Sequence, residues 1–548
     1  MLNSTVIEGI LTDVAEAVTA GKLQRGWLLL SPLLQAALAQ TNELTREQQY
    51  HVTAQAAELA IALKKPGVAL DCARQAESLT VQKGWPTHLQ ALALRDLGRL
   101  DEAVTVWERV LAGESYVQAA YQGLGSLLLR QERYLRARQV LDDGVRLWPR
   151  SAYLWLSYGL VQARLDDLEG AEAALRTAMR LGPAGWEAPL LNLAWVLRRR
   201  GGFAEALQLH RQAVEVAPES AEAHWNLATS LLSHGQYREG FAAFEWRFRR
   251  GRALLQQRDI PLWDGQAELS GKRILVAREQ GMGDALQMLR FAAVLAARGV
   301  EVIWEAHDGL ESLCASVTGV HAVVGSDTAL PEVDYQVPAM SLPYCLRVTN
   351  AADIPPAPYL TAPAGDPVPL TASAGRMKIG LVWRGNPSHE GDAARSIALP
   401  RLGEMLHRSS GMVDWVCLQR PDNREPFPSD LASCFCDDLG PWLGDFSRTA
   451  RALMALDLVI SVDTAVLHLA GALGRPVWGL LPLASDWRWL IGRDDSPWYS
   501  TLRLFRQTEP APAGDPWGPV LQQAMTALEH CAKSGNRFSQ QQCGTTKD

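Results

Sequence analysis

Residues 457–481, DLVISVDTAVLHLAGALGRPVWGLL, decide how the second half of this chain is read. The opening run is rich in Val and Ile and alternates poorly, as does a strand buried on both faces of a parallel sheet. A polar turn, Asp463 and Thr464, follows; then comes a helix with His468 one turn in, and PVWGLL (476–481) is the next strand. In such sheets the crevice beyond the carboxyl ends of the strands binds ligands. A helix that starts there offers free N–H groups and a positive dipole end to an anion. Phosphate is therefore the first ligand to consider.

Working outward, the same grammar begins at RILVAR (273–278), followed by the turn EQGMG, a helix over 284–299 ended by Gly299, and the strand VEVIWEA. Strands alternating with helices give βαβ units and a parallel sheet with right-handed crossovers. DIPPAPYLTAPAGDPVPLTASAG (353–375), with prolines at 355, 356, 358, 363, 367 and 369, reads as a linker between two lobes. Alternation then restarts with KIGLVW (378–383), VDWVCL (413–418), DLVISV (457–462) and PVWGLL. Two αβα lobes facing across a cleft are expected.

The first half follows another pattern. GRLDEAV, ERYLRAR, DDLEGAE, GGFAEAL and GQYREGF place a small residue at Ala103, Ala137, Ala171, Ala206 and Gly240, at intervals of 34 or 35. Twelve residues before each stands another small residue, Ala91, Gly125, Gly159, Ala194 and Ala228, where paired helices must cross closely. Pro149, Pro183 and Pro218 stop the second helix of a unit. This spacing resembles the tetratricopeptide repeat, with five readable units and degenerate ones within 1–83. Stacked pairs of this kind form a superhelix whose concave face commonly binds peptides.

At 548 residues the chain is too long for one core, and a net charge of −7 argues against nucleic acid or an anionic membrane as a global partner. The eight cysteines, at 72, 314, 345, 417, 434, 436, 531 and 543, show no CxxC pair or zinc spacing. The N-terminus has no signal-peptide pattern, and no stretch approaches the roughly 18 to 20 apolar residues of a membrane span. A cytoplasmic protein with no metal site is expected.

Three segments carry candidate chemistry. In REQGMGDALQ, Gly281 and Gly283 permit a tight turn and close backbone approach, but Leu286 stands where a dinucleotide fingerprint needs its third glycine. Asp284 begins the helix, as its N-cap, as a general base projecting into the cleft, or as both. In LVWRGNPSHEGDAARSIAL, Arg384, Asn386, Arg395 and Ser396 bring two guanidinium groups and two polar donors to a strand exit, with His389 between them. In SVDTAVLHLAGALGRPV, Thr464 can cap the helix and leave its first amides facing a pyrophosphate, whereas Asp463 suits a sugar or ribose hydroxyl. His468 is either a packing residue or a donor to the same phosphate. SDWRWLIGRDDSPWYSTLRLFRQ (485–507) is dense in Trp, Arg and Asp; its aromatics stack on a base or close the lobe, and closure is preferred. The basic run EWRFRRGR (245–252) complements a helix C-terminus or guides a substrate chain.

Taken in order, these motifs over residues 84–530 resemble the bacterial tetratricopeptide-repeat glycosyltransferases. Their catalytic half is similar to the heptosyltransferases (glycosyltransferase family 9) and, in layout, to the O-GlcNAc transferases. The resemblance implies an α superhelix followed by an α/β GT-B fold of two Rossmann-like lobes. The boundaries are 1–255 for repeats, 256–365 for the acceptor-side lobe, 366–532 for the nucleotide-sugar lobe and 533–548 for a polar tail. It implies Asp284 as the base, an acceptor loop of Gly281, Met282, Gly283 and Gln287, and a donor-diphosphate motif of Asp463, Thr464, His468, Leu469 and Ala470, with Arg395 near the phosphates. It further implies inverting transfer, without a metal or other cofactor, from a nucleotide sugar, UDP-GlcNAc first, to Ser or Thr hydroxyls of a protein held by the repeats, with flagellin as the leading acceptor. The chain departs from O-GlcNAc transferases in lacking their recognisable catalytic motifs. The alternatives are a lipid or polysaccharide acceptor, or a non-catalytic repeat scaffold that senses a nucleotide sugar.

Overall fold

The computed structural model describes residues 4–39, 44–82, 84–113, 117–251, 258–326, 328–371, 375–389, 391–423, 425–508 and 515–534. The expected boundary at 255/256 and the tail from 535 onward lie outside these residues, and 533–534 end the last helix, Gly518–Ser534. The chain divides into two compact units, Met1–Val196 and Leu197–Asp548. The division therefore falls inside the repeats, not where the composition changes.

The first unit begins with helices Ser4–Thr19, Leu23–Leu38, Arg46–Ala62 and Pro66–Leu79. Three pairs follow: Gly84–Asp96 with Leu100–Ala112, Gln118–Arg130 with Tyr134–Leu147, and Ala152–Arg164 with Leu168–Leu181. The small residues are needed where the helices cross. A β carbon added at Gly125 would lie 2.5 Å from Leu141, and one at Gly159 would lie 2.8 Å from Leu175. Each pair also turns through one left-handed residue, Gly98, Glu132 or Asp166. Trp107 fills the core, and its Nε1 donates to His88 Nδ1 at 3.0 Å. Burial pushes His88 down to about 4, so it accepts this bond as a neutral ring.

The second unit starts with helices Phe203–Val216, Ala221–Ser233 and Tyr237–Phe244 and a 3₁₀ turn, Glu245–Arg249. A four-stranded sheet follows: β1 (Arg273–Ala277), β2 (Glu301–Glu305), β3 (Val320–Val324) and β4 (Tyr335–Pro338), in the order β3-β2-β1-β4. The second sheet holds β5 (Met377–Val382), β6 (Val413–Cys417), β7 (Phe435–Asp438), β8 (Leu458–Val462), β9 (Val477–Leu481) and β10 (Leu502–Arg506), in the order β10-β9-β8-β5-β6-β7. All pairings are parallel. Every residue of β8 and β9 is buried, which is why neither alternates in sequence. Strand order reverses between β1 and β4 in one sheet and between β5 and β8 in the other, and ligands of open α/β sheets bind beyond such switch points.

The proline-rich segment is a docked strap rather than a free linker. The amides of Tyr359 and Leu360 both donate to Ala472 O, at 3.1 and 3.2 Å, and Tyr359 OH donates to Leu286 O at 2.8 Å. Among the described residues no helix is long and apolar enough to cross a membrane, and no group of three or more His, Cys, Asp and Glu side chains is arranged to hold a metal ion.

A buried ion network ties the end of the repeats to the four-stranded sheet. Arg247 donates to Glu279 after β1 (Nε 2.6 Å, Nη2 3.0 Å), to Glu245 (2.5 Å), to Phe244 O (3.2 Å) and to Ser341 after β4 (2.7 Å). Neither the Arg247 nor the Glu279 side chain is more than 1% exposed. Removing Arg247 would strand two carboxylates, whereas removing Glu279 would leave Arg247 still paired with Glu245. Arg247→Met is thus expected to cost about 3–5 kcal/mol, and Glu279→Ala less. Denaturant titration of the transition that includes the α/β half measures both.

Candidate functional site at the facing strand exits

Leaving β1, the chain bends through Gln280, whose φ is +59°, and begins a helix at Met282–Met288 with Gly281 as its N-cap. Asp284 is therefore not the cap. It is the third helical residue, and its Oδ2 reaches back to accept the Gly281 N–H at 2.8 Å. Its Oδ1 accepts from Arg488 Nη2. Asp284 stays 20% exposed, whereas Arg488 is 7% exposed. Gly283 gives the close approach expected of it: a β carbon there would lie 3.0 Å from His468 Cδ2 and 3.6 Å from Ala465 Cα. Met282 packs partly against the core. Gln287 is fully buried, and its Oε1 accepts from Arg488 Nε at 2.6 Å.

At the exit of β8, Thr464 is the N-cap of helix Ala465–Ala472 by position, yet its hydroxyl makes no capping bond. It pairs instead with Ser461 Oγ at 3.0 Å. The Ala465 and Val466 amides donate to no partner among the described residues, which leaves the anion-binding end of this helix open. Asp463 is 16% exposed. Burial and then Asp486 push its carboxyl up to about 6, against the pull of Arg395 and Arg488.

His468 is first a packing residue. It is buried, its Nδ1 is 2.9 Å from Tyr499 OH, and its ring lies 5.0 Å from that of Trp489. Burial, reinforced by Arg488, Arg290 and Arg395, drives its pKa far below the usual histidine range. The 4.0 Å approach of its Nε2 to Asp463 Oδ1 is thus not an ion pair. Leu469 and Ala470 are fully buried in the core, where they serve the helix packing.

The loop after β5 divides. Arg395 turns inward, its Nη1 donating to Asp463 O at 2.9 Å and its Nε to Asp392 at 3.2 Å. Arg395 lies over Gly385, where a β carbon would come within 2.7 Å of the guanidinium. Ser396 accepts the Gly385 N–H at 3.0 Å and so shapes the turn. Arg384 points elsewhere, toward exposed Glu425 at 3.6 Å. Asn386 is exposed and accepts the Ser388 N–H at 3.0 Å, and exposed His389 accepts that of Gly391 at 3.1 Å. The paired-arginine expectation thus reduces to Arg395.

Sequence reading missed two buried arginines of the site, Arg488 and Arg290. Arg488 sits in a 3₁₀ turn, Trp487–Trp489, whose N-cap Asp486 accepts from both the Arg488 amide (3.0 Å) and Nη1 (2.8 Å). Arg290 is likewise buried; it donates to Gln287 O (2.9 Å), Pro355 O (3.1 Å), Trp498 O (2.9 Å) and Tyr359 OH (3.1 Å). The only available signal was an acid followed by an arginine set between two tryptophans, in a segment assigned to lobe closure.

Asp463 supplies a pH signature. Its raised pKa means that the native state holds this proton more tightly than the unfolded chain does. The associated stability is full below the ordinary value of 3.8 and is lost as pH rises through about 6. Asp463→Asn should therefore raise stability by about 2–3 kcal/mol at pH 8, where the charge is penalised, with no gain at pH 4. Thermal denaturation at the two pH values measures the difference.

Residues 88–143, 123–185 and 191–245 match the tetratricopeptide repeat. Protein FlbA of Caulobacter vibrioides is 28% identical over 489 residues, covering 80% of this chain and 78% of its own. Among solved structures, TTC0263, a thermophilic repeat protein of Thermus thermophilus, is 27% identical over 33% of this chain and 99% of its own, with a TM-score of 0.29. MamA (41-end) from Desulfovibrio magneticus RS-1 is 22% identical over 31% and 96%, with a TM-score of 0.28. The chain thus carries tetratricopeptide repeats over residues 88–245, ahead of an α/β half built on two parallel sheets.

Proposed function

We propose that the α/β half is an inverting glycosyltransferase of the GT-B type, moving a sugar from a nucleotide diphosphate sugar to a Ser or Thr hydroxyl of a protein. UDP-GlcNAc is the first donor to try and flagellin the first acceptor, both following from the resemblance of the motifs. One observation carries the reading. The exits of β1 and β8 meet, so that Gly283, next to Asp284, lies against Ala465 at the open end of its helix. A carboxylate able to take a proton thus stands beside amides able to receive a diphosphate.

In this reaction the acceptor oxygen attacks the anomeric carbon, and its proton passes to Asp284. The bond between that carbon and the diphosphate oxygen breaks, and its electron pair leaves with the diphosphate. The Ala465 and Val466 amides, the helix dipole and Arg395 stabilise the departing charge, in the manner of preorganised donors. Buried Asp463 accepts a hydroxyl of the sugar or ribose. The repeats hold the acceptor chain.

One feature favours the rival reading of a non-catalytic sensor: both Asp284 oxygens already accept a hydrogen bond, from Gly281 and from Arg488. Asp284→Asn separates the two. As a general base, Asp284 should account for about 10²–10⁴-fold in turnover, so the variant should lose transfer, measured by mass spectrometry of the acceptor and release of free diphosphate. Donor binding, read as a thermal shift across a panel of sugar nucleotides, should persist. Equal activity in both proteins would remove Asp284 from the chemistry, and binding without turnover in the wild type would leave the sensor.

A further inference from the structure

Asp284 belongs to one lobe and the candidate donor site to the other, yet transfer demands that they keep a fixed separation. The side chain that spans them is Arg488. Its guanidinium is planar, donor-only and always charged, and each of its nitrogens is committed. Nε donates to Gln287, Nη1 to Asp486 and Nη2 to Asp284. Gln287 and Asp284 lie on helix Met282–Met288, after β1, whereas Asp486 and Arg488 follow β9. Because Arg488 only donates, it also fixes the Gln287 amide with its oxygen toward the guanidinium, and Gln287 Nε2 has no hydrogen-bond partner among the described residues.

The turn that carries Arg488 is itself over-determined. Trp487 lies under the guanidinium at 4.3 Å, and Phe241 and Phe244 of the last repeat pack edge-on to Trp487 at 5.9 and 6.4 Å. Leu490 is held at φ +54°, a backbone state a leucine rarely adopts. Arg506 fastens the carbonyls on either side of that residue's amide, Trp489 O and Leu490 O. Such strain persists only where the surroundings impose it, and it clusters at working sites. A simple ion pair joining two lobes needs none of this.

We propose that Arg488 is the positioning residue of the transfer reaction: its planar fork holds the Asp284 carboxylate at a set place and angle relative to the donor helix. The inference rests on the glycosyltransferase reading above. Arg488 touches neither substrate; it acts through Asp284. Its loss therefore slows the chemical step far more than it weakens donor binding, which it reaches only through its pull on the Asp463 carboxyl, and a lysine, which brings the charge without the three-way fork, does not substitute.

The test uses the full chain and the wild-type donor and acceptor, comparing Arg488→Lys and Arg488→Ala. A misplacement of the order of 1 Å costs about 100-fold in rate, so kcat should fall about that much in both variants while the donor KM stays within about threefold. Added guanidinium ion, which fits the hole left in Arg488→Ala between two carboxylates and Gln287, should restore at least tenfold of that loss and leave the wild type unchanged. Lysine at wild-type kcat, or a loss that appears in KM instead, overturns the proposal. So does a folded Arg488→Ala that guanidinium does not restore. Should Arg488→Ala fail to fold, Arg488→Lys decides alone by its kcat. A wild type that turns over no sugar nucleotide fails the glycosyltransferase reading as well, whereas an active wild type with an equally active Arg488→Lys fails this inference only.

Discussion

Arg247, Arg290 and Arg488 are almost completely removed from water, and a guanidinium cannot shed its charge to escape burial. Each must therefore be given carboxylates, carbonyls or hydroxyls by the chain around it, or the fold loses several kcal/mol per site. That requirement draws remote segments together. Arg290 alone gathers a helix turn (Gln287 O), the proline strap (Pro355 O, Tyr359 OH) and the segment before β10 (Trp498 O). Arg247 joins the last repeat to the exits of β1 and β4, and Arg488 joins the exits of β1 and β9. Of the candidate site residues, Asp284 and Gln287 are held directly by Arg488.

The same concentration of positive charge sets the electrostatics of the cleft. It helps keep His468 neutral and holds Asp463 partly in check, although burial and Asp486 still raise that carboxyl. Titratable groups pushed in opposite directions within one crevice are a recognised mark of functional sites. In the proposed reaction the anion is received by the open helix end at Ala465 and Val466, beside Arg395. The electrostatic design is that of a site in which charge is stabilised by fixed dipoles and guanidinium groups, already in place before a ligand arrives.

Much of this was legible in the sequence, and the limits have physical causes. The strands at 273, 413, 458 and 477 were visible because fully buried parallel strands read as continuous apolar runs. Gly283 was legible as a place of close approach, though not that His468 would be what approaches. The cap at Asp284 was misassigned by three residues, since an acid at the third helical position and an acid at the cap look alike in sequence and differ only in which amide they face. Arg384 and Arg395 were indistinguishable as loop arginines; only the packing of Gly385 decides which one turns inward. The proline-rich strap looked like a linker because composition reports stiffness and says nothing of a docking partner.

By itself, the sequence determined the repeats, the two parallel sheets and the strand exits where chemistry can occur, because helix and strand periodicities and small-residue spacing are local properties of the chain. Only the tertiary structure decided that Arg488, some two hundred residues away in sequence, would meet Asp284 and Gln287. The pairing of buried charges depends on which surfaces are excluded from water together, and no local pattern encodes that.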